Sequence, residues 1–453
     1  MTASDAGLLA RLGLHRPELR AWVMYDWANS AMITIIVTAV FPIFFAQVAA
    51  EGLESATATR LFTGATTVGL VIIALLSPLL GTVADYSASK LRFLAGFLVM
   101  GAIATALMFA ITPGAWLFAL VLFVLANIGA NGSFVFYDAL LPHVARQEEM
   151  DRVSASGYAV GYLGGGLLLG FALAVIQRPE LFGLPAEGTL PVRLMFLVTA
   201  VWWIVFSIPL FRRIPEPPPA PRRPEDAGRP AAALAVSKLR ETIRELRRYR
   251  QAVIMLLAFL IYNDGIGTII RLATIYGTEI GIDQGAMIAA LVVVQFVGIP
   301  FAFLFGWLAG RIGAKRAIFI GLAAYVAISV VGYFMRTATH FLILAALVGT
   351  VQGGTQALSR SLFASMIPRQ KSGEFFGFFS VFEKFAGIFG PAFFLVASLL
   401  FGSTRSAILS IVLFFVVGGW LLTRVDVAAG QAQARDEEAR LDAIGAHPDL
   451  AAV

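Results

Sequence analysis

The chain has 453 residues, of which 58% are hydrophobic and only 14% are charged, whereas a soluble globular protein carries about 25% charged residues. This composition excludes a soluble protein and predicts an all-α protein that crosses the membrane many times. The chain has no Cys, which excludes a disulfide scaffold, an iron–sulfur cluster and a Cys-ligated zinc. Its four His are scattered, so a His-built metal site is not expected. The net charge of +6 is interpreted as a topology marker rather than as a nucleic-acid surface.

Twelve spans are predicted, because one crossing needs about 20 mostly apolar residues. The first six occupy residues 20–49, 59–84, 91–112, 115–142, 152–177 and 191–211, and the second six occupy 251–278, 284–310, 316–336, 340–368, 373–401 and 403–424. The first span is too long for a cleavable signal peptide. We therefore expect an N-terminus (1–19), a first six-helix bundle (20–211), a linker (212–250), a second six-helix bundle (251–424) and a tail (425–453).

Lys and Arg indicate which side of the membrane each loop occupies. They concentrate at the N-terminus, in the 2–3, 4–5, 8–9 and 10–11 loops, in the linker and in the tail. Since cytoplasmic loops carry such an excess, both termini are predicted to be cytoplasmic, in a bacterial inner membrane. In the linker, Leu239, Ile243 and Leu246 share one helical face among basic residues, which predicts a short helix on an anionic membrane surface.

The two halves of the chain repeat a loop. Gly81 to Lys90 follows span 2, and Gly306 to Arg316 follows span 8. Two similar halves joined by a long loop are typical of transporters that expose one site alternately to each side.

Both loops resemble the signature of the major facilitator superfamily, Gly-x-x-x-Asp-Arg-x-Gly-Arg/Lys-Arg/Lys, although neither copy is complete. Candidate gate residues on the cytoplasmic side are Gly81, Asp85, Lys90 and Arg92 in the first copy and Gly306, Arg311, Gly313 and Lys315 in the second. Gly310 stands where the signature has its Asp. In one interpretation Asp85 accepts hydrogen bonds from a neighbouring helix end and holds this side closed. In the other, the basic turn only fixes the topology.

Further segments, in order along nearly the whole chain, resemble the "unknown major facilitator" family, which includes the autophagy-related vacuolar amino-acid effluxers. They are Tyr25–Ser30, Phe136–Pro142, Gly157–Gly165, Gly353–Ser361, Glu374–Gly377 and Gly390–Pro391. One departure is Asp138, where the family has Asn. The resemblance implies a major-facilitator fold of twelve helices in two pseudo-symmetric six-helix bundles, and a transporter whose fungal relatives export amino acids from the vacuole. It does not fix the substrate.

Polar side chains inside the spans are the candidates for substrate binding and coupling, because an ionisable group there costs about 2.5–3.5 kcal/mol on insertion scales. They are Tyr25, Asp26 and Asn29 in span 1; Asn127, Asn131, Tyr137 and Asp138 in span 4; Tyr262, Asn263, Asp264 and Arg271 in span 7; Gln352, Gln356 and Arg360 in span 10; and Glu383 and Lys384 in span 11.

Each carboxylate in this set also has a structural interpretation. Asp26 could pair with Arg20 or cap a neighbouring helix, and Asp138 could bind a proton or pair with a basic loop residue. Asp264 is the first candidate for coupling or for binding a substrate amine, but it could instead be tied to Arg271, seven residues on along the same face. Arg271 could also extend its side chain to the interface.

The cations of spans 10 and 11 suit anionic partners. Arg360 is a fixed cation that suits a carboxylate. Adjacent residues point about 100° apart on a helix, so Lys384 need not pair with Glu383 and could meet a carboxylate of span 1, 4 or 7. A purely structural role for the Glu383/Lys384 pair is the alternative.

No pattern predicts catalysis. Gly157, Gly161 and Gly165 recur every four residues, which favours close helix packing over a phosphate-binding loop. No triad, Walker motif or metal-ligand cluster is present, so neither an enzyme nor a cofactor is expected.

We therefore expect a monomeric secondary active transporter of a small polar or zwitterionic solute, with protons as a candidate coupling ion. Amino acids come first because of the family resemblance. Sugars, cell-wall fragments and multidrug-type substrates are the alternatives, and a non-transporting receptor or scaffold is the competing class. Polar faces in spans 1, 4, 7 and 10 argue against a scaffold, which does not need them.

Overall fold

The computed structural model describes residues 3–222, 237, 248–279, 281–282, 284–386, 393, 396 and 408–446. Within this part of the chain, ten helices are long and apolar enough to cross a membrane, and they coincide with predicted spans 1 to 10, whose numbers we keep. In the first half they are Pro17–Ala49, Ser55–Ser87, Lys90–Ala110, Trp116–Val144, Met150–Gln177 and Leu190–Arg213. In the second half they are Arg250–Glu279, Gln284–Ile312, Ala314–Tyr333 and Ala338–Ala364.

The last two predicted spans are described in part. Span 11 begins with the helix Ser372–Phe385, and span 12 is represented by Ile408–Thr423, which meets the tail helix Val427–Ile444 at a bend of 60°. The rest of span 11, the start of span 12 and the predicted amphipathic helix of the linker lie outside the described residues, apart from isolated positions. The prediction of an all-α, multi-span membrane protein is confirmed, and the number of spans agrees approximately with twelve.

Span 1 is irregular, for a local reason. Its α-helix Pro17–Met32 continues as a π-helix over Ile33–Ala39, where Val40 N donates to Ile35 O at 2.9 Å. Pro42 lies just beyond, and it lacks the N–H that a regular α-helix requires there. The wider turn absorbs this defect and leaves the Pro17–Met32 segment, which carries Asp26, regular.

Both terminal helices lie at one end of the bundle. At the N-terminus, Ser156 donates to Leu12 O, and Arg16 donates to Val144 O at 2.9 Å. In the tail, Lys371 Nζ lies 3.6 Å from Glu437 Oε1. The segment that follows the helix Ala3–Arg11 therefore packs against the facing ends of spans 4 and 5, and the helix Val427–Ala446 packs against the 10–11 loop. We call this end of the molecule the terminal face.

The buried core joins the two halves towards the terminal face. One continuous cluster runs from Trp22 and Tyr137 in the first half to Phe363 and Phe375 in the second. A second cluster, built around Phe41 and its aromatic neighbours, is made of residues of the first half. Large apolar side chains on the outside of the helices remain exposed, as expected for a surface that meets lipid.

Candidate functional site

A single arginine of the second half is buried among side chains of the first half. Arg360 lies four residues before the end of span 10, and its side chain is only 3% exposed. Its Nη1 lies 2.9 Å from Asp138 Oδ1, its Nη2 lies 3.4 Å from Asp26 Oδ2, and its Nε donates to Ser154 Oγ at 2.9 Å. Spans 1, 4 and 5 thus hold one cation from span 10. We call Arg360, Asp26, Asp138, Tyr137 and Ser154 the Arg360 cluster.

Aromatic rings enclose the guanidinium of this cluster. The Arg360 Cζ atom lies 4.8 Å from the ring centre of Trp22, 4.7 Å from that of Tyr158 and 5.6 Å from that of Tyr137. The Tyr137 hydroxyl donates to Asp26 Oδ2 at 2.7 Å. A planar guanidinium stacks on aromatic faces while its rigid fork of N–H donors bonds several acceptors in one plane, a geometry that a compact ammonium group lacks.

Helical spacing in the first half explains how these groups meet. Trp22 and Asp26 are four residues apart on span 1, and Ser154 and Tyr158 are four apart on span 5, so each pair shares a face. Between them, a Cβ atom at Gly157 would collide with Asp26 Oδ2. Only glycine at this position lets spans 1 and 5 approach closely enough to position Asp26 beside Arg360.

The cluster is not balanced in charge. If both Asp26 and Asp138 are ionised, two buried carboxylates face the one cation Arg360. Buried charges without a full complement of partners are costly, so binding of one proton would neutralise the group. The cluster can therefore act as an ion pair between the halves and as a proton site.

The polar residues of spans 7 and 10 form a second set within the second half. The Tyr262 hydroxyl lies 2.5 Å from Ser359 Oγ, and Gln356 Nε2 donates to Asn263 Oδ1 at 3.2 Å. Gln352 is partly buried one turn earlier on span 10. This set gives span 10 a polar face that continues from Arg360 away from the terminal face.

Two predicted pairings of charged residues have different outcomes. Asp264 is buried on span 7, and the Arg271 side chain lies outside the described residues, so a tie between them stays a prediction. Lys384 Nζ contacts Glu383 Oε2 at 2.7 Å instead of a carboxylate of another span. The long lysine side chain spans the 100° between neighbours, and Arg360 already occupies the carboxylates of spans 1 and 4.

The amides of spans 1 and 4 bond within the first half. Asn29 Nδ2 lies 3.4 Å from both Ala130 O and Ser133 Oγ. Asn131 Nδ2 donates to Asn127 O at 2.9 Å and to Asn127 Oδ1 at 2.5 Å. The Asn29 contacts hold spans 1 and 4 together, whereas the Asn131 contacts lie within span 4.

Tyr25, the remaining candidate of span 1, packs against aromatic rings of span 4. Its ring centre lies 4.9 Å from that of Tyr137 and 6.5 Å from that of Phe134. It is fully buried, and it supports the ring that hydrogen-bonds Asp26.

The first loop of the repeat closes spans 2 and 11 at the terminal face. Asp85 accepts from Gly373 N at 3.0 Å and from Glu374 N at 2.7 Å, and Lys90 Nζ lies 2.6 Å from its Oδ1. A carboxylate at the N-terminal end of a helix is favourably placed against unpaired N–H groups and the helix dipole. A Cβ atom at Gly81 would collide with Gly373 O, so glycine permits the contact.

The second loop makes different contacts. A Cβ atom at Gly306 would lie 2.7 Å from a side chain of span 5, so spans 5 and 8 also approach closely here. Gly313 has φ +87°, a conformation that favours glycine, and Lys315 donates to two backbone carbonyls at the end of span 12. Arg311 stacks on an indole ring one turn earlier, and Arg92 of the first copy is exposed.

Three side chains around Arg360 were not predicted from the sequence, namely Trp22, Ser154 and Tyr158. The one sequence signal for them is spacing, because Trp22 is four residues from Asp26 and Ser154 is four residues from Tyr158. This spacing indicates a shared site only when Arg360 of span 10 is known to lie between spans 1 and 5.

Comparison with known proteins identifies the family. The model of the family described as "Vacuole effluxer Atg22 like" matches residues 15–435. The chain belongs to this family. It is 38% identical over 399 residues to the MFS-type transporter YxiO of Bacillus subtilis, covering 88% of this chain and 92% of that one. It is 23% identical over 436 residues to autophagy-related protein 22 of Coccidioides immitis, covering 80% and 71%.

Solved structures show the same fold. The human organic anion transporter MFSD10 matches with a TM-score of 0.63 and 14% identity, over 91% of this chain and 99% of that chain. The fucose:proton symporter FucP of E. coli matches with a TM-score of 0.64 and 15% identity, over 92% and 98%. The predicted major-facilitator fold and the family resemblance are confirmed. This member of the Atg22-like family is an MFS-type transporter, a multi-pass membrane protein.

Proposed function

We propose that this Atg22-like protein is a secondary active transporter of a small polar or zwitterionic solute, with amino acids as the first candidates and protons as the coupling ion. The observation that carries the proposal is the Arg360 cluster, in which a cation of the second half is buried between Asp26 and Asp138 of the first. The description of the family as vacuole effluxers favours export of small solutes.

Arg360, together with the polar groups of spans 7 and 10, suits a zwitterion. Arg360 offers a guanidinium fork to a solute carboxylate, and Asp264, buried on span 7, offers an anion to a solute ammonium group. Gln352, Gln356 and Asn263 lie on the same facing spans and can bond neutral polar atoms of the solute. Such a site between the halves is where major-facilitator transporters bind their substrates.

Coupling follows from the cost of separating the halves at the terminal face. Opening this face must remove Arg360 from Asp26 and Asp138, which breaks the ion pairs that compensate these buried charges. A proton on one carboxylate, or a solute carboxylate on Arg360, reduces that cost. The terminal face would therefore open mainly when proton or solute is bound, which links their movements.

The orientation completes the proposal. The terminal face carries the Lys- and Arg-rich loops, so we place it, with both termini, in the cytoplasm of a bacterium whose inner membrane holds the protein. Both halves of the proposed site come from one chain, so a monomer suffices.

The test combines binding and flux. Purified protein is screened by thermal shift against amino acids, sugars, cell-wall fragments and apolar drugs, because a ligand stabilises the state it binds. Each stabilising compound is then assayed for uptake into proteoliposomes with and without a pH gradient. Amino-acid flux that depends on the gradient is expected. Flux of sugars or drugs alone would reassign the substrate class, and a folded protein without flux of any compound would favour a receptor or scaffold.

A further inference from the structure

A cavity of about 260 Å³ opens on the terminal face, at the seam between the two halves. The first half contributes Arg16, His143 and Arg146, the second half contributes Arg369, and the tail helix contributes Arg435 and Glu438. None of the residues of the Arg360 cluster lines this cavity. Because both halves contribute to its walls, the cavity is complete only while the halves are in contact.

The cavity has an excess of positive charge. Four arginines line it against one glutamate. Among the described residues, the guanidinium groups of Arg146 and Arg435 form no ion pair within 4.0 Å. Arg369 lies 3.7 Å from Asp442, but both side chains are more than half exposed, and such pairs contribute little. Of the four arginines, Arg16 is the one with a close carboxylate partner, Glu149.

Arg16 is already paired within the protein, because its Nη2 contacts Glu149 and Val144 O. The charge that remains available to a ligand therefore comes from Arg146, Arg369 and Arg435.

We propose that this cavity binds a small phosphate-bearing anion on the cytoplasmic side. Arginine forks match the oxygens of a phosphate group in geometry and charge. The volume is below the roughly 300–1,000 Å³ of sites for drug-sized ligands, so it suits a phosphate or diphosphate group and not a large molecule. The same chemistry is presented by a free phosphate compound and by the headgroup of an anionic phospholipid.

The bound anion would favour one state of the transporter, a consequence that rests on the proposed alternating-access function. Opening of the terminal face separates Arg16 and Arg146 from Arg369 and Arg435, which destroys the site. A ligand that binds one of two states shifts the population towards that state by its difference in affinity. Phosphate-bearing anions in the cytoplasm would thus keep this face closed and slow transport.

The test measures pyrophosphate binding to the full chain in detergent by calorimetry, without any solute. Arg435→Gln and Arg146→Gln each remove one charge-assisted hydrogen-bond donor, so the Kd is expected to rise about tenfold or more. Arg440→Gln is the matched control, because Arg440 is exposed on the same tail helix and does not line the cavity. Its Kd should equal that of the unmodified protein. Each variant is first checked by size-exclusion chromatography, and the two test variants on separate elements guard against misfolding of one.

A second arm separates the two sources of phosphate. The protein is mixed with vesicles of phosphatidylcholine alone or with phosphatidic acid added. Binding of pyrophosphate identifies a free anion, and binding confined to phosphatidic acid vesicles and lost in Arg435→Gln identifies a lipid headgroup. Absence of binding in both arms, or an equal loss in Arg440→Gln, would overturn the proposal. Because no transported solute is used, this result is independent of whether the transport proposal holds.

Discussion

Arg360 is the residue on which the two halves depend most directly. Replacement by Gln leaves Asp26 and Asp138 buried without their cation, which should cost about 3–5 kcal/mol and abolish transport. Thermal denaturation in detergent and proteoliposome flux measure the two effects. Arg336→Gln is the matched control, since Arg336 is exposed in the loop before span 10, at the end of that helix opposite to Arg360.

The Arg360→Lys variant separates charge from geometry. Lysine keeps the positive charge but loses the fork and the stacking on Trp22 and Tyr158, so stability should recover in part while transport stays low. If Arg360→Gln retained full stability and full transport, the cluster would have no role in joining the halves.

Gly157 tests the close contact that positions Asp26. Alanine at this site places a methyl group on the Asp26 carboxylate, so we expect Gly157→Ala to displace Asp26 and to reduce transport severalfold at equal protein level. At Gly170, about three and a half turns further along the same helix, a Cβ atom would meet no heavy atom within 4 Å. Gly170→Ala should therefore transport normally. Equal activity of both variants would contradict the proposed packing.

At the residue scale, the sequence predicted the participants but not their partners. Asp26, Asp138 and Arg360 stand out because charge is rare in a span. Their pairing was not predictable, because Arg360 is 222 residues from Asp138 and 334 residues from Asp26 along the chain. By sequence alone Lys384 is an equally suitable partner for these carboxylates, and the packing of span 10 into the first half is what distinguishes the two cations.

Among elements, spans 2 and 11 of the two halves approach each other closely where Gly81 faces Gly373. Gly81→Val should force them apart at the terminal face, because its side chain would overlap Gly373 O. The chain has no Cys, so a single Ser372→Cys can report this opening through its rate of maleimide labelling. Ser372 is fully buried, and we expect the rate to rise in Gly81→Val but not in the matched Gly64→Val. Unchanged labelling would mean that span 2 does not hold span 11.

The two copies of the repeated loop are unequal because Gly310 replaces the acid that Asp85 supplies in the first copy. A Cβ atom at Gly310 would lie 3.7 Å from Arg152 Nε of the other half. Gly310→Asp should add an ion pair that stabilises the closed terminal face and slows transport. Gly310→Asn, of the same size but neutral, should have a smaller effect. Equal rates in the two variants would exclude this electrostatic explanation.

The sequence revealed the repeat, but the contacts of each copy depend on which helix end lies opposite.

At the scale of the whole molecule, the hydrogen bonds that the described residues form between the halves concentrate towards the terminal face. Besides the Arg360 cluster and Asp85, they include Ser361 Oγ to Asp151 Oδ1 at 2.5 Å. Composition and periodicity predicted the spans and the topology, since both follow from the cost of polar groups in lipid. They could not predict which side is closed, because that depends on contacts between distant parts of the chain.

We propose that the Arg360 cluster holds the terminal face closed until one carboxylate is neutralised. The most direct test is a spin-label distance between Arg92→Cys in the first half and Arg316→Cys in the second, both exposed on the terminal face. One short distance is expected in the otherwise unmodified protein at pH 7.5. An additional, longer distance is expected when Asp138→Asn imitates the protonated carboxylate. If the distance distribution of the Asp138→Asn and Arg360→Gln variants stayed the same as that of the otherwise unmodified protein, the proposed gating role would be contradicted.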